Sequence, residues 1–352
     1  MSQSNSPSRR THRQLTLVLP QLLDAGPALT ASLQERAPAL PGLERLLARG
    51  RWQPSDSVLP LIDESGLAPA PLALLGEGEG PGDAYWLRAD PVHLRPDQDR
   101  LMLWDSAALS LSMEEAEALV VTFNDHFADD GYRLRAKAPG RWYLRSDQAL
   151  QVDTTSVTAV SGKNPFHFMP AGPDRAVLEQ LINEAQMLFH DHPVNRRRQA
   201  EGQLAVIGVW PWGGGKFEEY ERNTMRFERV LAHEPLYRGL GQVSGCPVDL
   251  PPVDFAAWCR ESTGGHELLV LDQGSDAARL GDEEAWHAAL AQLERDWWAP
   301  VASALWRGRL AGLCLQAGSG GTLVIDPWGM RCVWRRPRSL AAWLDTRNGA
   351  RA

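Results

Sequence analysis

The chain has 352 residues, a formal charge of −8, four cysteines and 14 tryptophans. This length predicts either two domains or one large domain with an insertion. The acidic balance argues against a general nucleic-acid or membrane-surface binder, and no apolar run is long enough to span a bilayer. The polar residues 1–14 contain no apolar signal-peptide core. We therefore expect a cytoplasmic protein with reduced cysteines and with neither a nucleic-acid nor a membrane partner.

Predicted strands and helices alternate along the chain. In chain order, we expect strand 15–19, helix 38–50, an irregular connection over 66–83, strands 85–88 and 101–104 around a turn, helix 112–127, strand 141–145, helix 174–190, strands 204–210 and 268–272, a helix from 282 through 297, and strands 310–315, 322–325 and 331–335. Ser112 and Glu115 form a capping-box pattern at the start of one helix. The alternation predicts an α/β sheet that is covered by helices on both faces.

The most informative segment is an apolar strand that ends in two tryptophans, three glycines and a lysine. Trp210 and Trp212 are two residues apart, so they face the same side of the strand. The glycines at 213–215 allow the backbone to approach a ligand where a Cβ atom would intrude. The pattern predicts an aromatic wall and a backbone cradle for a small anionic or planar ligand. A tight turn that is packed by tryptophans is the structural alternative.

Polar and cationic residues lie just before this strand and near residue 90. His190 and His192 could ligate a metal, or they could mark a helix end, because Pro193 makes continuation of the helix costly. Asn195 and Arg198 could bind phosphate or carboxylate, or lie in a solvated basic turn. Arg88, His93 and Arg95 surround residues 89–91 in the predicted turn and could face the same pocket, although ion pairing within the turn with Asp90 is equally simple.

Several segments together resemble one known family. Residues 41–50, PGLERLLARG, resemble a helix of the alkaline phosphatase superfamily, "TPNLDRLAxxG". Residues 82–88, GDAYWLR, resemble the "GDVAFR" strand of archaeal-type cofactor-independent phosphoglycerate mutases. Residues 192–215 are similar to that family's "HPVNxxRxxxGxxxANxIWxWGxG" signature. A bacterial branch, the RpfE-type regulatory proteins, resembles this chain across most of residues 15–216.

The same resemblance implies catalytic residues that this chain lacks. Active members hold two divalent metals with Asp and His ligands, one of which is the Asp of an Asp-Gly pair directly after the first strand. Here Pro20 and Gln21 follow that strand, and the nearest candidate is Asp24. Leu67 falls where the family carries its nucleophilic serine, and after residue 260 no Asp-His pair is present. Two-metal phosphoryl transfer needs such carboxylates to hold the ions.

The fold implied by the resemblance is an alkaline-phosphatase-like α/β fold. We expect a mixed or parallel sheet that is covered by helices on both faces, with a smaller α+β insertion. The domain would span residues 15–345, with the inserted segment at about 80–170. Residues 1–14 and 346–352 would be tails.

The function implied is that of a catalytically degenerate phosphoglycerate-mutase-like protein, either regulatory or binding a small anionic ligand. The predicted ligand-binding residues are Arg88, His93, His192, Asn195, Arg198, Trp210, Trp212, Gly213, Gly214 and Gly215. No cofactor is expected, and Mn²⁺ or Zn²⁺ applies only if the chain is an active mutase or phosphatase, which is the first alternative. The second alternative is a protein-interaction scaffold. A small phosphorylated or carboxylate ligand and a protein partner are the expected partners.

Overall fold

The computed structural model describes residues 13–55, 60–97, 100–217 and 227–349, so most of the two predicted tails lies outside the described residues. The chain forms two compact units. The first takes the described residues of 1–57, 225–233 and 244–352, and the second takes those of 58–224 and 234–243. Among the described residues, no helix is both long and apolar enough to cross a membrane.

The strands and helices are as follows. The strands are β1 (Gln14–Val18), β2 (Arg51–Pro54), β3 (Tyr85–Asp97), β4 (Arg100–Trp104), β5 (Tyr132–Ala138), β6 (Arg141–Ser146), β7 (Gly208–Lys216), β8 (Arg229–Leu231), β9 (Val248–Asp249), β10 (His266–Val270), β11 (Gly312–Gln316) and β12 (Gly321–Ile325). The α-helices are α1 (Pro27–Arg36), α2 (Pro41–Arg49), α3 (Pro60–Ser65), α4 (Pro69–Gly76), α5 (Ser106–Leu109), α6 (Met113–His126), α7 (Val157–Val160), α8 (Arg175–His190), α9 (Pro193–Ala200), α10 (Pro235–Ser244), α11 (Phe255–Glu261), α12 (Ser275–Leu280), α13 (Glu283–Leu293), α14 (Ala299–Trp306), α15 (Pro327–Met330) and α16 (Leu340–Gly349). A 3₁₀ turn (Pro165–Phe168) and a π turn (Glu294–Trp298) complete the set.

The first unit is built on a mixed seven-stranded sheet in the order β2-β12-β11-β1-β10-β8-β9. β1 pairs in parallel with both β10 and β11, and β8 pairs in parallel with β10 and β9. β12 pairs antiparallel with β11 and β2. Strands that are buried on both faces read as continuous apolar runs. This explains the Leu-rich sequence of β1, whose last four residues are buried.

A buried carboxylate holds helix α2 in the first unit. The Glu294 side chain, which lies on the π turn, accepts hydrogen bonds from the backbone N–H groups of Gly42 (2.6 Å) and Leu43 (3.1 Å). A negative charge at a helix N-terminus satisfies donors that have no partner within the helix. A Cβ atom at Gly42 would lie 2.5 Å from the backbone nitrogen of Ala299, so this position requires glycine.

The second unit contains an antiparallel five-stranded sheet. β3 is its long central strand and pairs with β4, β6 and β7, while β5 adds to β6. Helices α6 and α8 pack on the sheet and bury apolar stripes that include Leu119, Phe123, Leu178 and Phe189. The predicted capping box at Ser112 and Glu115 is present at the start of α6.

Three predicted elements differ from the structure. Residues 89–95 are part of continuous strand β3 and not of a turn, because β7 pairs with the strand through residues 88–92 and β4 pairs with it beyond them. The supposed irregular connection over 66–83 contains α4, which packs so closely on α10 that a Cβ atom at Gly76 would lie 1.9 Å from the carbonyl oxygen of Pro235. Residues 331–335 form turns after α15 and not a strand.

The predicted fold class is confirmed, since the chain is α/β with a mixed sheet and flanking helices. The domain boundaries at 15–345 and about 80–170 stay a prediction.

Candidate functional site

The predicted pocket residues of strands β3 and β7 surround a buried ion pair. Arg88 donates to Asp90 Oδ1 from Nε (3.2 Å) and from Nη2 (2.6 Å). The indole N–H of Trp212 donates to Asp90 Oδ2 (2.8 Å), and the backbone N–H of Trp142 donates to Oδ1 (3.2 Å). The Arg88 guanidinium also lies over the rings of Trp212 and Tyr143, at 5.3 and 5.2 Å from their centroids.

Both partners of this ion pair are removed from water. The side chains of Arg88 and Asp90 are 8% and 2% exposed. Burial alone would lower the pKa of the Arg88 guanidinium, but the nearby Asp90 carboxylate, with Tyr143 and Glu234, raises it above its ordinary value. The arginine is therefore charged at every physiological pH, and its charge is neutralised within the fold.

A second predicted group lies at helix α9 and ties chain segments together. The Asn195 side chain is fully buried. It donates to the carbonyls of Phe189 (2.7 Å) and Val206 (2.8 Å) and accepts from Val206 N–H (2.8 Å). Arg198 is 1% exposed and donates to Leu204 O (2.8 Å), to Glu115 Oε2 (2.8 Å) and to Leu109 O.

His192 is the N-cap residue of α9. Its Nδ1 accepts from Val194 N–H (3.2 Å), and its Nε2 lies 3.0 Å from Thr122 Oγ1. Burial lowers the pKa of His192 below its ordinary value, so the ring is held in the neutral form that N-capping requires. Both ring nitrogens therefore have partners in the second unit. A helix, α8, ends at His190, whereas His192 begins the next one.

The tryptophan–glycine run forms a closely packed strand. Trp210 donates its indole N–H to Thr155 O (2.8 Å), and Gly213 N–H donates to Thr154 Oγ1 (3.0 Å). Gly213 has a φ of 66°, which favours glycine. Cβ atoms at Gly214 and Gly215 would lie 2.4 Å from Tyr85 Oη and 2.3 Å from Ala68 Cβ. These glycines allow close packing of protein on protein.

The structure thus brings Arg88 and Trp212 into one buried cluster, and His192, Asn195 and Arg198 into another around α9. His93 lies elsewhere on β3, where its Nδ1 contacts Ala205 O at 2.8 Å. Each of these residues has at least one polar side-chain atom that is hydrogen-bonded to a neighbouring protein group.

A cleft of about 510 Å³ lies beside the same strands in the second unit. Its lining combines residues 79–86, including the GDAYW motif, with Arg135, Arg145 and Lys216. Arg135 forms an ion pair with Glu79, and Arg145 pairs with Asp147 at 2.9 Å. The sequence analysis noted the motif and the lysine after the three glycines but included neither among the predicted ligand-binding residues, and it missed the two arginines. Their alternating positions on β5 and β6 were the only available signal.

The carboxyl ends of the parallel strands meet in the first unit, which is the edge where open α/β sheets bind ligands. Gln21, two residues after the predicted end of the first strand, has a φ of 56° although it is not glycine. Pro20 O accepts from Ser275 Oγ (2.6 Å), which links the end of β1 to the segment after β10. Asp272 is exposed on that same segment.

Asp24 is held at this edge by the loop that follows β11. Its two carboxylate oxygens accept from Ser319 N–H at 2.9 and 2.7 Å, and Oδ1 also accepts from Ser319 Oγ at 2.8 Å. The two histidines after residue 260 are engaged as well. His266 Nε2 lies 2.8 Å from Thr16 Oγ1, and His287 Nε2 lies 3.0 Å from Ser32 Oγ. Across the described ranges, no group of three or more His, Cys, Asp or Glu side chains has the arrangement of a metal site.

The predicted nucleophile region is helical and has no exposed serine. Ser65 is buried at the end of α3, where its hydroxyl donates to Ile62 O (2.5 Å) and accepts from Leu67 N–H (3.2 Å). Leu67, which the sequence resemblance places at the family's serine position, has no nucleophilic atom.

Comparisons with known proteins find relatives of one kind. No family profile matches the chain. A probable 2,3-bisphosphoglycerate-independent phosphoglycerate mutase from Geobacter sulfurreducens is 27% identical over 192 residues, which cover 52% of this chain and 47% of that protein. The corresponding mutase from Methanosarcina mazei is 25% identical over 232 residues, covering 60% and 58%.

This chain is similar to 2,3-bisphosphoglycerate-independent phosphoglycerate mutases. It spans about half the length of the curated relatives that it matches. Among solved structures, the PH0037 protein from Pyrococcus horikoshii superposes with a TM-score of 0.53 at 14% identity, covering 90% of this chain and 88% of that one. That likeness shows a shared fold. The resemblance to the mutase group that the sequence motifs predicted is therefore confirmed at this level.

Proposed function

We propose that this chain is a phosphoglycerate-mutase-like protein that has lost the two-metal chemistry of its relatives. It acts as a cytoplasmic regulatory or ligand-binding protein of the RpfE type, on an alkaline-phosphatase-like scaffold. The observation that carries the proposal is the segment after β1. In the family pattern, an Asp-Gly pair stands where this chain has Pro20 and Gln21.

The backbone at Gln21 supports this comparison. A left-handed conformation is adopted freely by glycine and costs other residues about 1–2 kcal/mol. Gln21 has this conformation, with a φ of 56°, at the position where the family pattern has glycine. The turn therefore keeps its geometry while the preceding ligand residue, Asp in the family, is replaced by Pro20, whose side chain has no donor atom.

The described residues at this edge do not fit two divalent metals. Such ions require several carboxylate or imidazole ligands within reach of one another. Asp24 at this edge accepts hydrogen bonds from Ser319. His266 is the first residue of β10 and lies at the opposite, amino end of the sheet, where it contacts Thr16. His287 on α13 contacts Ser32. We therefore derive no reaction step through a metal.

The ligand of this protein is proposed to be a small phosphorylated or carboxylate molecule. The ten predicted pocket residues remain the sequence-based candidates, but the cleft lined by Lys216, Arg135 and Arg145 is more open to solvent. The guanidinium and ammonium groups of these three residues would contact the anion, in a lining that also holds Glu79, Asp83 and Asp147.

One alternative keeps the enzyme activity. The relatives are named as mutases, so an active mutase or phosphatase with rearranged ligands, using Mn²⁺ or Zn²⁺, is the competing function. The two possibilities differ in whether the chain binds such metals stoichiometrically.

Calorimetric titration of the full chain with Mn²⁺, after treatment with a chelator, tests the proposal. We expect no saturable binding, because the edge lacks a ligand cage. Saturable binding that Asp272→Asn weakens, and that Asp129→Asn at an exposed position elsewhere does not, would contradict it.

A further inference from the structure

Three tryptophans of the first unit are exposed within a stretch of 29 residues, and Arg331 donates hydrogen bonds to the backbone carbonyls of two of them, Trp306 and Trp328. Trp306 is 44% exposed, Trp328 76% and Trp334 72%. Large exposed aromatic side chains that cluster on a soluble fold usually mark an interaction site, since isolated ones are rarely this exposed. Together with Arg331, Arg335 and Arg336, they form what we call the Trp–Arg surface.

Hydrogen bonds hold this surface in one arrangement at the ends of three helices. Arg331 donates to Trp306 O from Nε (3.3 Å) and Nη2 (3.2 Å), which joins the segment after α15 to the end of α14. Arg49, at the end of α2, donates to Met330 O (2.9 Å) and lies 5.7 Å from the centre of the Trp306 ring. Arg335 donates to Arg49 O (3.3 Å). The surface is therefore largely formed before any partner binds.

The surface is strongly basic in an acidic protein. Residues 307–338 contain six arginines, one aspartate, no lysine and no glutamate, a net charge of 6 − 1 = +5. Because the whole chain carries −8, the remainder carries −8 − 5 = −13.

We propose that the Trp–Arg surface binds an acidic segment of another protein. Guanidinium groups pair with carboxylates through two parallel hydrogen bonds, and an ammonium group cannot reproduce this geometry. Tryptophan and arginine are the residue types that dominate the binding energy of protein interfaces, where lysine is depleted. The composition of the surface, with arginine throughout and exposed indoles between the charges, matches that pattern.

Two features favour a protein segment over a nucleic acid or an anionic membrane. Residues 307–338 have no lysine, a residue type that is depleted in protein interfaces. The only helix on the exposed segment, α15, has four residues. It is too short to lie in a membrane interface as an amphipathic helix. This inference does not depend on the proposed loss of mutase chemistry.

Fluorescence anisotropy tests the inference with a fluorescein-labelled peptide of Glu-Glu-Leu repeats and the full-length protein. We expect saturable binding that weakens by about tenfold or more in Trp328→Ala/Trp334→Ala and in Arg335→Ala/Arg336→Ala, because these changes remove the proposed anchors. Arg196→Ala/Arg197→Ala is the matched control, since it removes two exposed arginines of the second unit. All of these side chains are exposed, and thermal unfolding verifies that each variant is folded.

Three outcomes would overturn the inference. The peptide could fail to bind the native chain, or both arginine pairs could weaken its binding equally, which would indicate non-specific charge attraction. Alternatively, phosphatidylglycerol vesicles or oligothymidine could bind through the surface residues more tightly than the peptide does, which would assign the surface to a membrane or to a nucleic acid.

Discussion

At the scale of single residues, the Arg88–Asp90 pair explains why a motif that looks like a ligand site forms a closed cluster. A buried charge is costly unless it is paired and hydrogen-bonded. Asp90 receives donors from Arg88, Trp142 and Trp212, so both of its oxygens are satisfied within the second unit. The cluster fixes β3 against β6 and β7 at the point where the sequence suggests a turn.

Asp90→Asn is expected to destabilise the protein by about 3–5 kcal/mol, because it leaves the Arg88 charge buried without a counter-ion. The measurement is chemical denaturation followed by tryptophan fluorescence. Asp147→Asn is the matched control. It breaks an ion pair with Arg145 whose side chains are 39% and 56% exposed, and should cost less than about 1 kcal/mol. Equal losses in the two variants would contradict the buried pairing.

The residue at position 21 allows a second comparison at this scale. Gln21→Gly should be more stable than Gln21→Ala by about 1 kcal/mol, because only glycine adopts the left-handed backbone without strain. Both variants remove the side chain beyond Cβ. The difference between their unfolding free energies therefore reports the cost of holding an alanine in the left-handed backbone conformation. If the alanine variant is as stable as the glycine variant, residue 21 is not left-handed in solution.

At the scale of elements, helix α9 joins neighbouring segments of the second unit through side-chain hydrogen bonds. Its N-cap is His192, and its inner face presents Asn195 and Arg198 to backbone carbonyls of neighbouring segments. The similarity of residues 192–198 to the mutase signature thus coincides with a structural role, in which side chains satisfy buried backbone groups.

The N-cap predicts a pH dependence of stability. Burial lowers the pKa of His192 in the folded state, so the unfolded chain binds a proton more readily. This contribution to stability is complete above the unfolded pKa of about 6.5 and is lost as the pH falls below it. His192→Asn keeps an N-cap acceptor but cannot titrate. It should therefore flatten the decline in unfolding free energy between about pH 7 and pH 5.

The exposed-site variant His167→Asn is the control for this pH series. An unchanged pH slope in His192→Asn, or an equal change in both variants, would show that His192 does not titrate differently in the folded and unfolded states.

At the scale of the whole molecule, hydrophobic periodicity was enough to predict the α/β class and the long helices. Helix α8 buries Leu178, Leu181, Ala185 and Phe189 at helical spacing, and β1 is an apolar run. Periodicity could not predict α4, whose residues are apolar on all sides because backbone contact with α10 encloses it. The continuity of β3 depends on partners that are distant in sequence.

The candidate site was only partly predictable, again because it depends on contacts between residues that are distant in sequence. The motifs identified Trp212, Asn195 and Arg198, but their hydrogen-bond partners lie many residues away, and these partners decide whether a polar group is open to a ligand. Asp90, which connects Arg88 to Trp212, was considered only as a turn ion-pair partner. Residue type and spacing do not reveal whether a polar side chain is hydrogen-bonded to groups that are distant in sequence.

The measurement that most directly tests the proposed loss of mutase chemistry is a coupled assay of the conversion of 3-phosphoglycerate to 2-phosphoglycerate. It is run on the full chain with and without added Mn²⁺ or Zn²⁺, with a related active mutase as the positive control. We predict no turnover above the protein-free background under any metal condition, because the sequence resemblance places Pro20 and Leu67 where the family has a metal ligand and its nucleophile. Metal-dependent turnover that a chelator abolishes would contradict this account.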